Sequence, residues 1–138
     1  MSYLLDTNVI SEPFRAEPEA RVVKWLNETP AALQHLSALT LGELRRGLET
    51  MQAGRRREAV RVWLEFEVPV WFEERLLPVT VEIADRWGRL QATANRTLPI
   101  VDSLLAATAL RHGLAVVTRN RKDFEGLGVE IVNPWELE

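Results

Sequence analysis

The chain has 138 residues, with 17 Lys+Arg against 20 Asp+Glu for a net charge of −3, two His and no Cys. That length suits one domain spanning residues 1–138, which buries roughly two thirds of its unfolded surface without a staple; the missing Cys exclude a disulfide scaffold, a zinc ribbon, a thiol nucleophile and an iron–sulfur cluster. No apolar run approaches the roughly 18 residues of a membrane span and the first residues lack the form of a signal peptide, so the expectation is a cytoplasmic protein with no membrane partner.

Tyr3–Leu5 is a short apolar run that reads as a buried strand, and Asp6-Thr7-Asn8 after it as a turn. Pro18 opens a helix to about Asn27, with Val22, Val23, Trp25 and Leu26 inward. Leu36–Leu39 is a second strand, and Thr40 to about Gln52 a helix ended by Ala53-Gly54. Arg55–Phe72 is helical with Val60, Trp63, Leu64, Val68 and Trp71 on one side, and Pro69 breaks it near Val68. Leu76–Val79 is a third strand. Thr80–Asn95 is a helix with Ile83, Trp87, Leu90 and Ala94 at helical spacing. Pro99–His112 is a helix apolar nearly all round and closed by Gly113. Leu114–Thr118 and Val129–Val132 are the last strands, with a helical turn near Asp123–Leu127 between them. This alternation predicts an α/β fold: a five-stranded, mostly parallel sheet covered by helices on both faces. In such open sheets a site lies beyond the carboxyl ends of the strands.

Polar residues gather at that predicted edge. Asp6 follows the first strand, Glu43 lies in the first turn after the second, Asp102 lies in the first turn of the apolar helix, and Asn120 and Asp123 follow the strand Leu114–Thr118. Only four residues of the chain are Asp, and three of them fall here. Carboxylates brought together repel one another and raise each other's pKa unless a cation sits among them. Hard oxygen donors suit Mg²⁺, with Mn²⁺ the alternative. Each residue also has an ordinary structural explanation. Asp6 can close an Asx turn, Thr40-x-x-Glu43 matches a capping box, Asp102 suits a helix N-terminus, and Asn120 or Asp123 can cap a short helix. Asp85, His35 and His112 read as surface or packing residues.

Basic residues cluster too. Leu44 to Arg61 holds six Arg against two Glu, and Arg111 to Lys122 holds four basic residues and no acid. Both segments flank proposed site positions, as a polyanionic substrate beside an acidic centre requires.

Leu4-Leu5-Asp6-Thr7-Asn8-Val9-Ile10-Ser11-Glu12, the segment Leu36-Ser37-Ala38-Leu39-Thr40-Leu41-Gly42-Glu43-Leu44-Arg45-Arg46-Gly47, the helix Pro99–Ala109, and Val117-Thr118-Arg119-Asn120-Arg121-Lys122-Asp123-Phe124 with the ending Val132-Asn133-Pro134-Trp135 together resemble, in this order and spacing, PIN-domain ribonucleases, within them the VapC/FitB-type toxins of bacterial toxin–antitoxin pairs. The resemblance covers nearly the whole chain. It implies a PIN-like three-layer α/β/α fold and a metal-dependent endoribonuclease. Asp6, Glu43, Asp102 and Asp123 would be catalytic, Asp6 and Asp102 would hold the metal, and Thr7, Asn8, Ser37, Thr118 and Asn120 would support them. Arg45, Arg46 and Arg119 are the candidates for binding RNA. The family often carries a fourth acid where this chain has Asn120; Asp123, three residues later, is a candidate substitute, directly or through a water, so the fourth ligand and any second metal stay open. The resemblance also implies a tRNA or rRNA substrate, a homodimer, and a small antitoxin that blocks the site, with Trp25 and Trp63–Trp71 among the candidate contacts.

Two other readings compete. An aspartyl-nucleophile phosphatase also places Asp-x-x after a first strand, but it wants an acid at Asn8 and a placed Lys, and neither Lys24 nor Lys122 is evident. A PIN-like module that binds RNA or a partner without cutting it would need no metal, and the retained acids argue against it.

Overall fold

The computed structural model describes residues 1–138. Five strands form one sheet in the order β3-β2-β1-β4-β5, and every pair is parallel. They are β1 (Tyr3–Leu5), β2 (Gln34–Ser37), β3 (Leu76–Leu77), β4 (Ala115–Val117) and β5 (Ile131–Val132). β1 is central: Tyr3 lies opposite both Gln34 and Ala115, and Leu5 opposite Val117. The period of two sends alternate strand residues to opposite faces. Leu5, Leu36 and Val117 join one buried cluster, with Val22, Leu48 and Phe72; Leu4, Leu77 and Val116 join the other, with Leu105, Ala106 and Ala109. The helices divide accordingly. One face carries α1 (Thr7–Ile10), α2 (Ala20–Glu28), α3 (Ala38–Thr50), α4 (Arg55–Val62) and α5 (Val68–Phe72), and the other α6 (Val81–Thr93) and α7 (Ile100–His112).

The sheet is filled outward from β1 in two directions: β2 and β3 to one side, β4 and β5 to the other. The connections after β1 and after β4 therefore diverge, and a crevice opens beyond their carboxyl ends. A helix that precedes a parallel strand begins at that same edge, which is where α7 places Asp102.

Several elements start or stop differently from the sequence-based expectation. Asp6 does not close a turn; it caps the single-turn helix α1, its carboxylate accepting from the Thr7 N–H at 2.8 Å. β2 ends at Ser37, and α3 begins at Ala38 rather than Thr40, because the Ser37 hydroxyl accepts from the Leu39 N–H at 3.0 Å and takes the cap. Thr40 is thus inside the helix, Glu43 lies in its second turn, and the anticipated Thr40–Glu43 capping box does not form. Pro78 follows β3, which stops at Leu77 instead of Val79. The helical turn after β4 covers Arg121–Asp123, upstream of the expected Asp123–Leu127.

The break at Pro69 is a π-helical turn. Trp63–Glu67 continues α4, the Val68 N–H bonds the Trp63 carbonyl five residues back, and α5 starts with Pro69 in its first turn, where a missing N–H costs little. The extra residue rotates the face that α5 presents to the core. Phe72 points inward and Trp71, expected there, stands 45% exposed.

Candidate active site

Asp6 is only 4% exposed, yet its carboxylate is richly bonded. The Thr118 hydroxyl donates to Oδ2 at 2.8 Å, the Asn8 amide donates to the same oxygen at 3.3 Å, and the Thr7 N–H takes Oδ1. Asp6 and Thr118 are adjacent because β1 and β4 pair in register and the Asp6 N–H bonds the Val117 carbonyl at 2.9 Å. Burial pushes the Asp6 pKa up. The Thr118 and Thr7 bonds oppose that, while the charges of Glu43 and Asp123 add to it.

Glu43 reaches the same place from α3. Its Oε1 accepts from the Thr7 hydroxyl at 2.6 Å, a bond it could not make if it served a capping box. Asp102 is pushed up to about 7, first by burial, then by a hydrogen bond shared with Asp123 and by the charges of Asp6, Asp123 and Glu43. The four acids named from the sequence thus act on one another electrostatically. Asp123 contributes its charge to both Asp6 and Asp102. The Asn120 side chain makes no cap bond and is exposed; its backbone N–H donates to the Thr118 hydroxyl at 2.9 Å. Ser37 is a helix cap, and its hydroxyl bonds Leu39 rather than an acid.

No arginine or lysine pairs with Asp6, Asp102 or Asp123; Arg46 comes to 4.0 Å from Glu43 and is itself 79% exposed. Like charges gathered without a protein cation are unfavourable, and acceptor-only oxygen donors are what a hard divalent ion takes. The acids do not close into a three-ligand cage as they stand. Mg²⁺ commonly binds through one or two carboxylates and keeps several waters, so the donor set fits it without such a cage.

The three arginines proposed for substrate lie in different circumstances. Arg45 is not free: it pairs with Glu65 at 3.0 Å and approaches Glu49 at 3.9 Å, tying α3 to the π-helical turn. Arg46 is at the rim of the pocket. Arg119 lies directly after Thr118, its N–H donates to the Asn8 side chain at 3.2 Å, and its guanidinium lies over the Trp135 ring, 5.2 Å from the centroid. Trp135 and its neighbour Asn133 had no role in the sequence reading beyond their place in a resembling motif.

A second feature lies away from the acids. The loop at Pro13–Phe14 and the Trp63–Phe72 segment enclose an apolar groove of about 900 Å³, lined also by Leu5 and Ile10. Phe66 and Val70 on its wall are 62% and 70% exposed. Trp63 and Trp71 line it; Trp25 does not and packs edge-on against Tyr3 at 5.0 Å.

The all-parallel sheet with acids at its switch point and helices on both faces defines a PIN fold. The PIN domain family model matches residues 3–129, and the chain belongs to that family. Its homologues are of the VapC and FitB type. It is 40% identical to the VapC ribonuclease Y4jK of Sinorhizobium fredii, over 96% of this chain and 97% of that one. It is 36% identical to the toxin FitB of Neisseria gonorrhoeae over 96% and 97% of the two chains, and the crystal structure of FitAcB from that organism superposes with a TM-score of 0.91, covering 98% of this chain and 99% of that one. A toxin–antitoxin complex from Klebsiella pneumoniae superposes with a TM-score of 0.72 at 25% identity, over 99% of this chain and 100% of the other. The phosphatase alternative finds no support in the site: Asn8, where that chemistry wants an acid, donates its amide to Asp6.

Proposed function

We propose that this chain is a metal-dependent endoribonuclease, the toxin of a toxin–antitoxin pair. The observation that carries the reading is the gathering of Asp6, Asp102 and Asp123 without a paired protein cation, beside Glu43, in a chain similar along almost its whole length to a VapC ribonuclease. Asp6 and Asp102 would hold Mg²⁺ or Mn²⁺. Bound there, the ion would neutralise charge on a phosphodiester and lower the pKa of a water. Thr118, Asn8 and the Thr7 N–H keep Asp6 aimed and ionisable. Glu43, fixed by Thr7, takes the proton of the attacking water, and the charge of Asp123 adds to the acidic field at Asp102. Arg46 and Arg119 offer the cations that the acidic centre lacks. Substrates of tRNA or rRNA class follow from the resemblance, as does a homodimer.

The partner is a small antitoxin. What supports this is the likeness to a toxin–antitoxin complex, together with the exposed aromatic and aliphatic wall of the groove, which an apolar segment of a partner would cover.

The test is direct. Purified chain is incubated with tRNA and with rRNA, in Mg²⁺, in Mn²⁺ and in chelator. Cleavage is expected only with metal, and it should vanish in Asp6→Asn and Asp102→Asn. Cleavage that survives both substitutions with metal supplied would sink the mechanism. Sizing of the purified chain, alone and co-expressed with the product of a neighbouring small reading frame, tests the homodimer and the antitoxin.

A further inference from the structure

Arg119 differs from most arginines of this chain in what holds it. Arg15, Arg45, Arg61 and Arg121 each pair with a glutamate. Arg119 makes no ion pair; Glu19, close enough to feel its charge, is bonded to Arg21 at 2.6 Å. Its guanidinium is held instead by the indole of Trp135. A guanidinium over a ring face makes no hydrogen bond to it, so the Arg119 N–H groups stay free, and those match the oxygens of a phosphate. The stack also removes rotamer freedom before any ligand arrives.

The position of this stack is tied to the acids. The Asn8 amide donates to Asp6 at 3.3 Å while its oxygen accepts from the Arg119 N–H at 3.2 Å. On the other side, the Asn133 amide donates to the Arg119 carbonyl at 3.5 Å, and its oxygen accepts from the Trp135 N–H at 3.0 Å. Asn133 is 7% exposed, and the two bonds of this bridge are part-buried. Two asparagines thus link a pocket carboxylate to the arginine and the arginine to the tryptophan.

We propose that Arg119 and Trp135 form a preorganised clamp for a phosphate of the RNA strand beside the scissile one, with Asn8 and Asn133 setting its register against the acidic pocket. Arg119 touches RNA; Trp135 and Asn133 are positioning residues. Trp135 does not stack a base, because the ring is half-buried and carries the guanidinium. The proposal rests on the nuclease reading.

A labelled single-stranded RNA is titrated with the full chain over a range of salt concentrations, in chelator and in Mg²⁺, and its cleavage is followed in parallel. Arg119→Ala should weaken binding and raise KM about tenfold, with a much smaller change in kcat. The slope of log K against log salt should shrink by about 0.7, one phosphate on a single strand. Arg119→Lys should keep the slope yet recover only part of the affinity. Trp135→Phe should stay close to the parent, and Trp135→Leu should lose several-fold in KM with the slope kept. Thermal melting of each variant separates misfolding from lost contact, and exposed Arg119 keeps the test open if Trp135→Leu fails to fold. An unchanged slope and affinity in Arg119→Ala overturns the clamp, as does a loss confined to kcat or to binding of a protein partner. Salt-dependent binding that Arg119→Ala alters, in a parent chain that cuts no RNA, removes the nuclease reading and leaves the phosphate site standing.

Discussion

The acidic pocket and the apolar groove share α1, and each is unfavourable for the free chain for an opposite reason. Leu5 and Ile10 line the groove, while Asp6 and Thr7 between them belong to the pocket. The pocket is over-bonded and under-neutralised: every oxygen of Asp6 is satisfied, yet burial and the neighbouring carboxylates raise the proton affinity of Asp6 and Asp102. The groove has the reverse condition: its lining is mostly apolar, and aromatic and aliphatic surface is left to water. A cation relieves the first and does nothing for the second. An apolar segment relieves the second and, alone, leaves the first as it was. Chemistry and control can therefore be perturbed separately.

The largest effect expected is at the pocket. Asp102→Asn should lower RNA cleavage by roughly a hundred- to a thousandfold, read on a labelled RNA at saturating Mg²⁺, while the metal-free protein melts no lower than its parent because a repelling charge is gone. A melting temperature that falls with activity would show that the acid is structural. Next comes the groove. Trp71→Ala should weaken antitoxin binding by about 2 kcal/mol, measured by calorimetry, with cleavage unaltered. An equal loss of cleavage would mean that the two regions are one. A smaller effect is expected from Thr7→Val, which removes the donor at 2.6 Å from Glu43. Cleavage should drop about tenfold, and Thr7→Ser should restore it.

The smallest expected effect is on stability against pH. Asp102 stands near 7 in the fold against an ordinary 3.8, so between those values the metal-free fold binds more protons than the unfolded chain. The stability this contributes is fully present below about 3.8 and is lost as pH rises through about 7. Melting of the metal-free chain should reflect that loss over this window, and Mg²⁺ should offset it most at the upper end. A Mg²⁺ effect equal at both ends would contradict the placement of the ion among these acids.

Much of the scaffold was legible because its signals are local. Short apolar runs pointed to the five strands, although β2 begins at Gln34, ahead of the expected Leu36, and Gly113, at φ 67, closes α7 as its position after an apolar helix suggested. The boundaries were less legible. Ser37 and Thr40 both qualify as caps, and choosing between them depends on where β2 leaves the sheet, which is decided by its pairing with β1 and β3. Trp71 and Phe72 both fit an inward helical position until the π-helical turn advances the register by one residue.

The acids themselves could be named from their places at strand ends and helix starts. What their side chains do could not. Asp6 and Thr118 are 112 residues apart, and only the parallel register of β1 with β4 makes them partners. The nearness of Asp123 to Asp102 depends on a single 3₁₀ turn, and the placement of Arg119 over Trp135 on the buried Asn133 between them. By itself the sequence determined most element types and the parallel α/β class, because periodicity and capping act within a few residues. The tertiary structure alone decided which oxygens face one another, which arginines keep an unmatched charge and which aromatics stay in water. Those outcomes depend on distances between segments that only the closed sheet brings together.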